Sequence, residues 1–238
     1  MRLPPQPYSW GLRTVVISLG RRFPWMEDWR KCNFLNTFER IISKHMPRVK
    51  QFDETEILNK AMELFWEKGF HATSMQDLVS HLGINRASLY DTFGCKEILF
   101  QNAVEHYIEV SGSCMRNLFE KENDVRVGLK KLFDMAINES LCDLSKKGCF
   151  VVNTTTELIP GDEAIQEMLQ KNRENMEAVF VDYIQKGIDK GQIDASKSAQ
   201  DIGLMFFGLY NGLRVLAKVD PTSESLKKMA AAGLSILD

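Results

Sequence analysis

The residues that could do chemistry lie in one stretch, Ser74–Phe93, which reads SMQDLVSHLGINRASLYDTF. Its second half carries small, polar and basic side chains where a helix packed into a core would carry apolar ones. Arg86 is a long cation that can donate two hydrogen bonds to guanine O6 and N7, or bind a phosphate. Tyr90 adds a hydroxyl suited to phosphate, while the small Ala87 and Ser88 leave room for close approach to a groove. These residue types indicate recognition of DNA.

Groups suited to phosphate flank this segment on both sides. Thr73 and Ser74 start the preceding predicted helix, where free backbone N–H groups and hydroxyls favour an anion. Lys96 starts the following helix and adds a cation. Arg48 and Lys50 precede the first predicted helix as a candidate basic arm. We therefore expect DNA phosphates to be bound by groups outside the segment as well as within it.

Short helices separated by glycine are predicted to position these side chains. Asp53 and Glu56 have capping-box spacing ahead of a first helix that ends at Gly69. Thr73 and Gln76 repeat that spacing ahead of a second helix. Apolar residues recur at helical spacing through both helices: Ile57, Ala61, Leu64, Phe65, Met75, Leu78, Val79 and Leu82.

The third helix is the one whose outer face is polar. Gly83 supplies a left-handed residue before it, and Asn85 is a suitable N-cap. Leu89 and Phe93 are predicted to face inward. Two apolar faces beside one polar face predict a helix-turn-helix, although a three-helix core piece with an incidental Arg86 and Tyr90 would have a similar pattern.

The composition is that of an ordinary globular protein, with 238 residues, 44% hydrophobic and 26% charged, and a net charge of −2. Residues 1–50 hold ten Lys+Arg against three Asp+Glu, whereas residues 51–100 hold four against eight. Apolar runs are shorter than the roughly 18 residues of a membrane span. No signal-peptide cleavage site follows the short apolar run near the N-terminus. We expect no membrane partner and a cytoplasmic location.

The cysteines and histidines form no ligand pattern. The five cysteines have no CxxC pair and the four histidines no HxxxH pair, so free thiols in a reducing cytoplasm are expected, with no metal site and no cofactor. No Ser/His/Asp constellation or phosphate loop is present. A helical enzyme is therefore disfavoured, and no catalytic residue is assigned.

The chain divides into three predicted regions. Residues 1–45 are basic and rich in proline and tryptophan, and they form either a genuine extension or a start called too early, with Met46 as the first residue; the second interpretation is favoured. Residues 46–95 form the predicted DNA-binding domain and residues 96–238 a helical domain. Later helices are predicted at about 124–144, 148–158, 162–190, 196–217 and 222–237, the last with Asp220 as its N-cap and Pro221 at its first position.

A collinear set of short motifs resembles the TetR family of bacterial transcriptional regulators over about residues 51–111. The motifs are AMELF from Ala61, KGF from Lys68, TSM from Thr73, LGINRASLY from Leu82, Phe93 and Lys96-Glu97. The resemblance implies an all-α fold, with an N-terminal three-helix DNA-binding domain that contains the helix-turn-helix and a C-terminal helical domain for ligand binding and dimerisation. It places DNA contacts at six residues: Ser74, Arg86, Ala87, Ser88, Tyr90 and Lys96.

Two residues depart from the family pattern. Cys95 stands where the family has a polar cap, and a thiol is a poorer cap for the fourth helix. Asp91 lies on the recognition helix, where it would repel phosphate or accept a hydrogen bond from cytosine N4.

The C-terminal half carries weaker signals. The run GCFVVN from Gly148 looks like the start of the sixth helix in one branch of the family. Asn153 and Thr156 are candidates for binding an effector in a cavity, and the alternative is that they bond the local backbone or face solvent. Two apolar stripes suit either a dimer interface, which we favour, or the core of the chain: Ile202, Phe206, Leu209 and Leu213, then Leu226, Met229, Gly233 and Leu237.

The sequence therefore predicts a homodimeric repressor that binds a pseudo-palindromic operator in double-stranded DNA and is released by an unknown small-molecule effector. The alternative, from a different class, is a helical small-molecule sensor whose helix-turn-helix has weak or no sequence-specific DNA binding. The acidic balance of residues 51–100 favours that alternative.

Overall fold

The computed structural model describes residues 53–238 except residues 144 and 223. Within this range the regular structure is helical, which confirms the all-α prediction. The predicted extension 1–45 and the arm residues Arg48 and Lys50 lie outside the described residues. The helices are α1 Glu54–Lys68, α2 Met75–Leu82, α3 Arg86–Phe93, α4 Lys96–Lys121, α5 Val125–Cys142, α6 Phe150–Leu158, α7 Glu163–Asp189, α8 Ala199–Val219 and α9 Glu224–Leu234, followed by a 3₁₀ turn Ser235–Leu237.

Helices α1 and α3 begin where the sequence predicts. The Asp53 carboxylate accepts a hydrogen bond from the backbone N–H of Thr55 at 2.8 Å. The Asn85 side chain accepts one from the backbone N–H of Ser88, also at 2.8 Å. Gly83 has a φ of +68°, so the left-handed residue that separates α2 from α3 is confirmed.

Helix α2 is capped by Ser74 and Asp77 rather than by the predicted Thr73 and Gln76. The Ser74 hydroxyl accepts from the Asp77 N–H at 3.1 Å, and the Asp77 carboxylate accepts from the Ser74 N–H at 2.9 Å. Thr73 is fully buried, and its hydroxyl donates to the carbonyl of Gly69 at 2.6 Å. The predicted cap was one residue too early. Thr73 and Ser74 are each followed three residues later by a side chain that can accept a hydrogen bond, so the spacing alone does not choose between them.

The boundary between α8 and α9 also differs from the prediction. Asp220 ends α8 instead of starting α9, and its carboxylate accepts hydrogen bonds from the N–H and hydroxyl of Thr222 at 3.1 and 2.7 Å. The Asp220-Pro221 pair therefore forms a turn, and α9 begins at Glu224.

The apolar side chains form two clusters, and both α4 and α7 contribute to each. The first cluster joins the head, by which we mean α1 to α3, to the first half of α4, to α6 and to the start of α7. The second joins the end of α4 to α5, the rest of α7, α8 and α9. Leu89 and Phe93 belong to the first cluster and are 1% and 8% exposed, so their inward orientation is confirmed. The core of the head is therefore completed by helices far along the chain.

The predicted dimer stripes lie largely in the second cluster. Leu209 and Met229 are half-buried against it, and a Cβ on Gly233 would overlap the Leu209 side chain. Periodicity marks a buried face without naming its partner, and the structure places much of this face against the chain itself. Six of them are buried within the chain itself: Ile202, Phe206, Leu213, Leu226, Gly233 and Leu237.

Two buried threonines differ in whether their hydroxyl is hydrogen-bonded, so the same substitution, Thr to Val, should have opposite effects on stability at the two sites. The hydroxyl of Thr154 in α6 is buried and has no hydrogen-bond partner among the described residues, whereas that of Thr73 is bonded to Gly69. We expect Thr154→Val to raise the free energy of unfolding by about 1 kcal/mol and Thr73→Val to lower it by about 1 kcal/mol. Urea denaturation of both variants measures the difference, and the same sign for the two changes would contradict this account.

Candidate functional site

The outer face of α3 carries the polar residues that the sequence assigns to DNA. Arg86, Ala87 and Tyr90 are exposed and Ser88 is half-buried, while Leu89 lies beneath them in the core. The Arg86 guanidinium lies over the Tyr90 ring, 5.8 Å from its centroid. The helix therefore presents a cation and a phenol on the side facing away from α1 and α2.

The predicted phosphate anchors beside α3 are not equally accessible. Ser74 is exposed, but its hydroxyl donates to the Asp77 carboxylate at 2.6 Å and serves as the α2 cap. Thr73 does not fit the predicted role of phosphate anchor, because its hydroxyl is buried and cannot reach a phosphate. Lys96 is half-buried, with its ammonium 4.3 Å from the centroid of the Phe70 ring.

The four cations between residues 53 and 100 fall into two classes. Lys60 pairs with Glu56 at 2.6 Å, and Lys68 pairs with Asp77 at 2.9 Å. Arg86 and Lys96 lie over aromatic rings instead, and neither forms an ion pair with any described residue. Two of the acidic side chains of this segment are thus neutralised by lysines outside α3. Arg86 and Lys96 remain for contacts with phosphate or bases.

Hydrogen bonds favour the charged form of two carboxyl groups, Asp77 on α2 and Glu97 at the start of α4. Hydrogen bonds from Ser74, with a further one from Lys68, hold the pKa of Asp77 well below its usual range. A hydrogen bond from the Cys95 thiol lowers the pKa of Glu97. Cys95 itself makes no side-chain cap bond to α4, as expected of a thiol at that position.

A cavity of about 650 Å³ lies between α4, α6, α7 and α8. Thr156 lines it, but its hydroxyl donates to the backbone carbonyl of Asn153 at 2.9 Å. Asn153 is not among the residues that line this cavity. Its amide donates to the carbonyl of Lys147 at 2.7 Å and accepts from Lys218 at 3.1 Å, which is the local bonding that the sequence left open as an alternative.

Glu157, at the end of α6, makes a contact with the head that the sequence did not predict. Its carboxylate accepts hydrogen bonds from the backbone N–H groups of Phe70 at 3.0 Å and His71 at 2.7 Å. A Cβ on Gly69, whose φ is +85°, would lie 2.8 Å from this carboxylate, so the close approach requires glycine. In the sequence, the feature that could have pointed to a polar contact at this end of α6 was the run TTTE in a helix flanked by apolar residues.

Trp66 on α1 makes a second contact with the same region. Its indole N–H donates to the carbonyl of Gly148, just before α6, at 3.2 Å. Its ring meets that of Tyr107 on α4 edge-on, with centroids 5.0 Å apart, and stacks on Phe150 of α6 at 6.4 Å. Helix α6 is therefore joined to the head at both of its ends.

The sequence matches models of known families in both halves of the described chain. The family described as "Bacterial regulatory proteins, tetR family" matches residues 57–103. The family described as "Tetracyclin repressor-like, C-terminal domain" matches residues 127–232. The first match contains α2 and α3, and the second contains α6 to α8 with most of α5 and α9.

Relatives and solved structures agree with these matches. The HTH-type transcriptional regulator YezE of Bacillus subtilis (strain 168) is 32% identical over 196 residues, which cover 81% of this chain and 100% of YezE. The HTH-type transcriptional repressor ComR of Escherichia coli (strain K12) is 28% identical over 198 residues, with 83% and 94% covered. A cysteine mutant of the TetR family transcriptional regulator CifR, solved with 26-bp double-strand operator DNA, has a TM-score of 0.72 and 26% identity, with 81% and 100% covered.

The α3 face, the family matches and a relative aligned over its whole length all lead to one assignment. This chain belongs to the TetR family and is a helix-turn-helix transcriptional regulator.

Proposed function

We propose that the protein is a homodimeric repressor, which binds a pseudo-palindromic operator through its two α3 helices and is released by a small molecule bound in the 650 Å³ cavity. The observation that carries the proposal is the outward face of α3, where Arg86 and Tyr90 stand free of carboxylate partners in the described part of the chain. Because CifR was solved on its operator, a fold of this kind is compatible with duplex DNA.

The proposed DNA contacts follow from what remains exposed. Arg86 contacts a guanine edge or phosphate from the N-terminal end of α3, and Tyr90 contacts phosphate one turn later. Ala87 and Ser88 allow the helix to approach the base edges. Lys96 binds a flanking phosphate, while Ser74 fixes the start of α2 and offers its N–H end to the DNA backbone.

The proposed dimer uses the face of α8 opposite to the predicted stripe. Leu204, Val215 and Val219 are 37%, 46% and 76% exposed, and they lie on one side of the helix. Gly208 and Gly212 lie between them, and a Cβ at either position would meet nothing within 4 Å. This exposed apolar and small stripe suits the close approach of a second copy.

The composition of α8 supports this use. Its mean hydropathy is 1.3 over an 18-residue window of which 33% is buried, and by length and composition alone such a helix could also cross a membrane. A dimer interface accounts for the unburied apolar residues. It also places two α3 helices on successive half-sites, which a single reading head cannot occupy.

Effector release is proposed to act through α6. Val151, Val152 and Thr155 of this helix line the cavity, while Glu157 and Trp66 join its two ends to the head. A ligand that fits one position of α6 better than another then favours the corresponding position of the heads. Operator affinity changes by that difference in ligand affinity.

A sensor that does not bind DNA specifically is the second candidate, favoured by the excess of acidic residues between 51 and 100. Operator binding separates the two proposals when it is measured by fluorescence anisotropy with DNA from the region upstream of the gene. We expect binding that weakens steeply as salt rises, and Arg86→Ala to cost about 1–3 kcal/mol. Lys60→Ala is the matched control, because Lys60 is paired with Glu56 on α1.

Wild-type affinity in Arg86→Ala would remove the role given to that residue. Equal, weak binding of operator and unrelated DNA by the wild type would favour the sensor.

Placing a charge on the exposed α8 stripe tests the dimer. We expect Val215→Glu to weaken self-association about a hundredfold or more, because the interface would bury an unpaired carboxylate twice. Val127→Glu on α5 is the control, since Val127 is a similarly exposed valine outside the stripe. Sedimentation equilibrium measures both variants, and an unchanged dimer in Val215→Glu would exclude this face.

Removing the carboxylate at the end of α6 tests the connection to the head. Glu157→Ala leaves the N–H groups of Phe70 and His71 without their acceptor, so we expect their amide hydrogen exchange to quicken about tenfold or more. Operator affinity should fall together with it. Glu67→Ala, an exposed acidic change on α1, should leave exchange at these amides unchanged, and equal rates in both variants would show that Glu157 does not order the turn.

A further inference from the structure

Arg214 on α8 is an enclosed cation without a close counter-charge. Its side chain is 11% exposed, and its guanidinium donates hydrogen bonds to the phenol oxygens of Tyr210 at 2.8 Å and Tyr107 at 3.1 Å. Within the described residues, the only carboxylate within ion-pair distance is that of Glu139, at 3.9 Å and itself 62% exposed. Glu139 is thus beyond hydrogen-bond distance and is largely hydrated.

The two phenols compensate the charge only partly. Burial raises the pKa of both Tyr107 and Tyr210, so they remain neutral. A guanidinium has five N–H donors, and two of them are used by these phenols. A cation removed from water in this way is costly unless an anion completes its coordination.

The lining of the 650 Å³ cavity suits an anion better than a cation. Arg214 lines the 650 Å³ cavity together with Arg173, and no Asp or Glu is found among the described residues that line it. Arg173 is already paired with Glu177 at 2.7 Å, so the uncompensated charge is that of Arg214. The walls beside it are largely apolar and include Met115, Leu169 and Phe207.

Arg214 also lies where this cavity meets two smaller ones. Cavities of about 300 and 410 Å³ are lined by Arg214 as well, and both reach Trp66 of α1. The 300 Å³ cavity shares Tyr107 and Tyr210 with the large one. Arg214 therefore lines the same cavities as Trp66, the residue that joins α1 to the start of α6.

We propose that the effector is a small amphipathic monoanion, a carboxylate on an apolar body, whose carboxylate binds Arg214 and the hydroxyl of Tyr210. A planar guanidinium matches a carboxylate in geometry, and one positive charge balances one negative charge, whereas a phosphate dianion would remain half-compensated. The apolar body occupies the large cavity, whose volume lies within the range of about 300–1,000 Å³ usual for small-molecule sites. This inference deepens the proposed effector release and rests on it.

The test compares probes that share a body and differ in charge. Titration calorimetry of the DNA-free, full-length protein with decanoate, decanol and decylammonium, and with benzoate and inorganic phosphate, gives the charge preference directly. We expect decanoate or benzoate to bind, and decanol to bind about tenfold to a hundredfold more weakly than decanoate. Decylammonium and phosphate should give no saturable binding.

Variants of the two cavity arginines locate the charge preference. Arg214→Met should remove the preference for decanoate over decanol, Arg214→Lys should keep part of it, and Arg173→Met should leave it near the wild-type value. If Arg214→Met does not fold, the comparison of Arg214→Lys with Arg173→Lys takes its place, because Lys cannot make the bidentate contact. An unchanged preference in the Arg214 variants, stronger binding of decylammonium, or no binding of any carboxylate would overturn the proposal.

A separate measurement distinguishes this inference from the proposed function. Operator binding is measured with and without saturating decanoate. Carboxylate binding that depends on Arg214 without operator release would keep the anion site and remove its effector role. Absence of operator binding by the ligand-free wild type would count against the proposed function alone, since the calorimetry contains no DNA.

Discussion

The head does not close its own core, and the rest of the structure depends on this constraint. Three short helices cannot bury their apolar faces between themselves, so Phe65 of α1 packs on Phe100 of α4, with ring centroids 5.0 Å apart. Phe100 in turn packs on Phe150 of α6 at 5.7 Å. The position of the proposed DNA-binding face is therefore set by aromatic contacts with α4 and α6, two of the helices that form the cavity wall.

Polar contacts of modest strength complete this connection. The Glu157 carboxylate binds two amides at the turn after α1, and the Trp66 indole binds the carbonyl of Gly148. Such bonds contribute about 1–3 kcal/mol each, which is the size of the coupling free energy typical of allosteric proteins. In the mechanism we propose, a ligand that displaces α6 needs only to weaken one or two of them. The apolar packing can stay intact, so the head moves without unfolding.

Local features of the sequence predicted local structure well, because caps and turns depend on neighbouring residues. Asn85 and Gly83 determine where α3 begins, and the inward Leu89 follows from helical spacing alone. Two caps were nevertheless assigned wrongly, at the starts of α2 and α9, and the other differences between prediction and structure concern long-range partners. Helical periodicity correctly predicted that the stripe containing Ile202 is buried, but it could not tell whether α5 and α7 or a second chain covers the stripe. Likewise, nothing near Glu157 in the sequence points to its contact with Phe70. In the sequence, Arg214 is the one charged residue between Asp201 and Lys218, and helical spacing places Tyr210 beside it, but nothing nearby points to Tyr107.

Helix α8 brings the remaining functions onto one rigid element. Its inner face, with Phe206 and Leu213, is fixed in the second cluster. Arg214 faces the cavity and Val215 faces outward, so consecutive residues belong to the anion site and the dimer face that we propose. Neighbouring residues of an α-helix point about 100° apart and turn together. In the proposed dimer, a rotation of α8 that improves the contact of Arg214 with an anion also moves Val215 relative to the partner copy. In the mechanism we propose, the charge of the effector then acts on the spacing of the two heads through α8 as well as through α6.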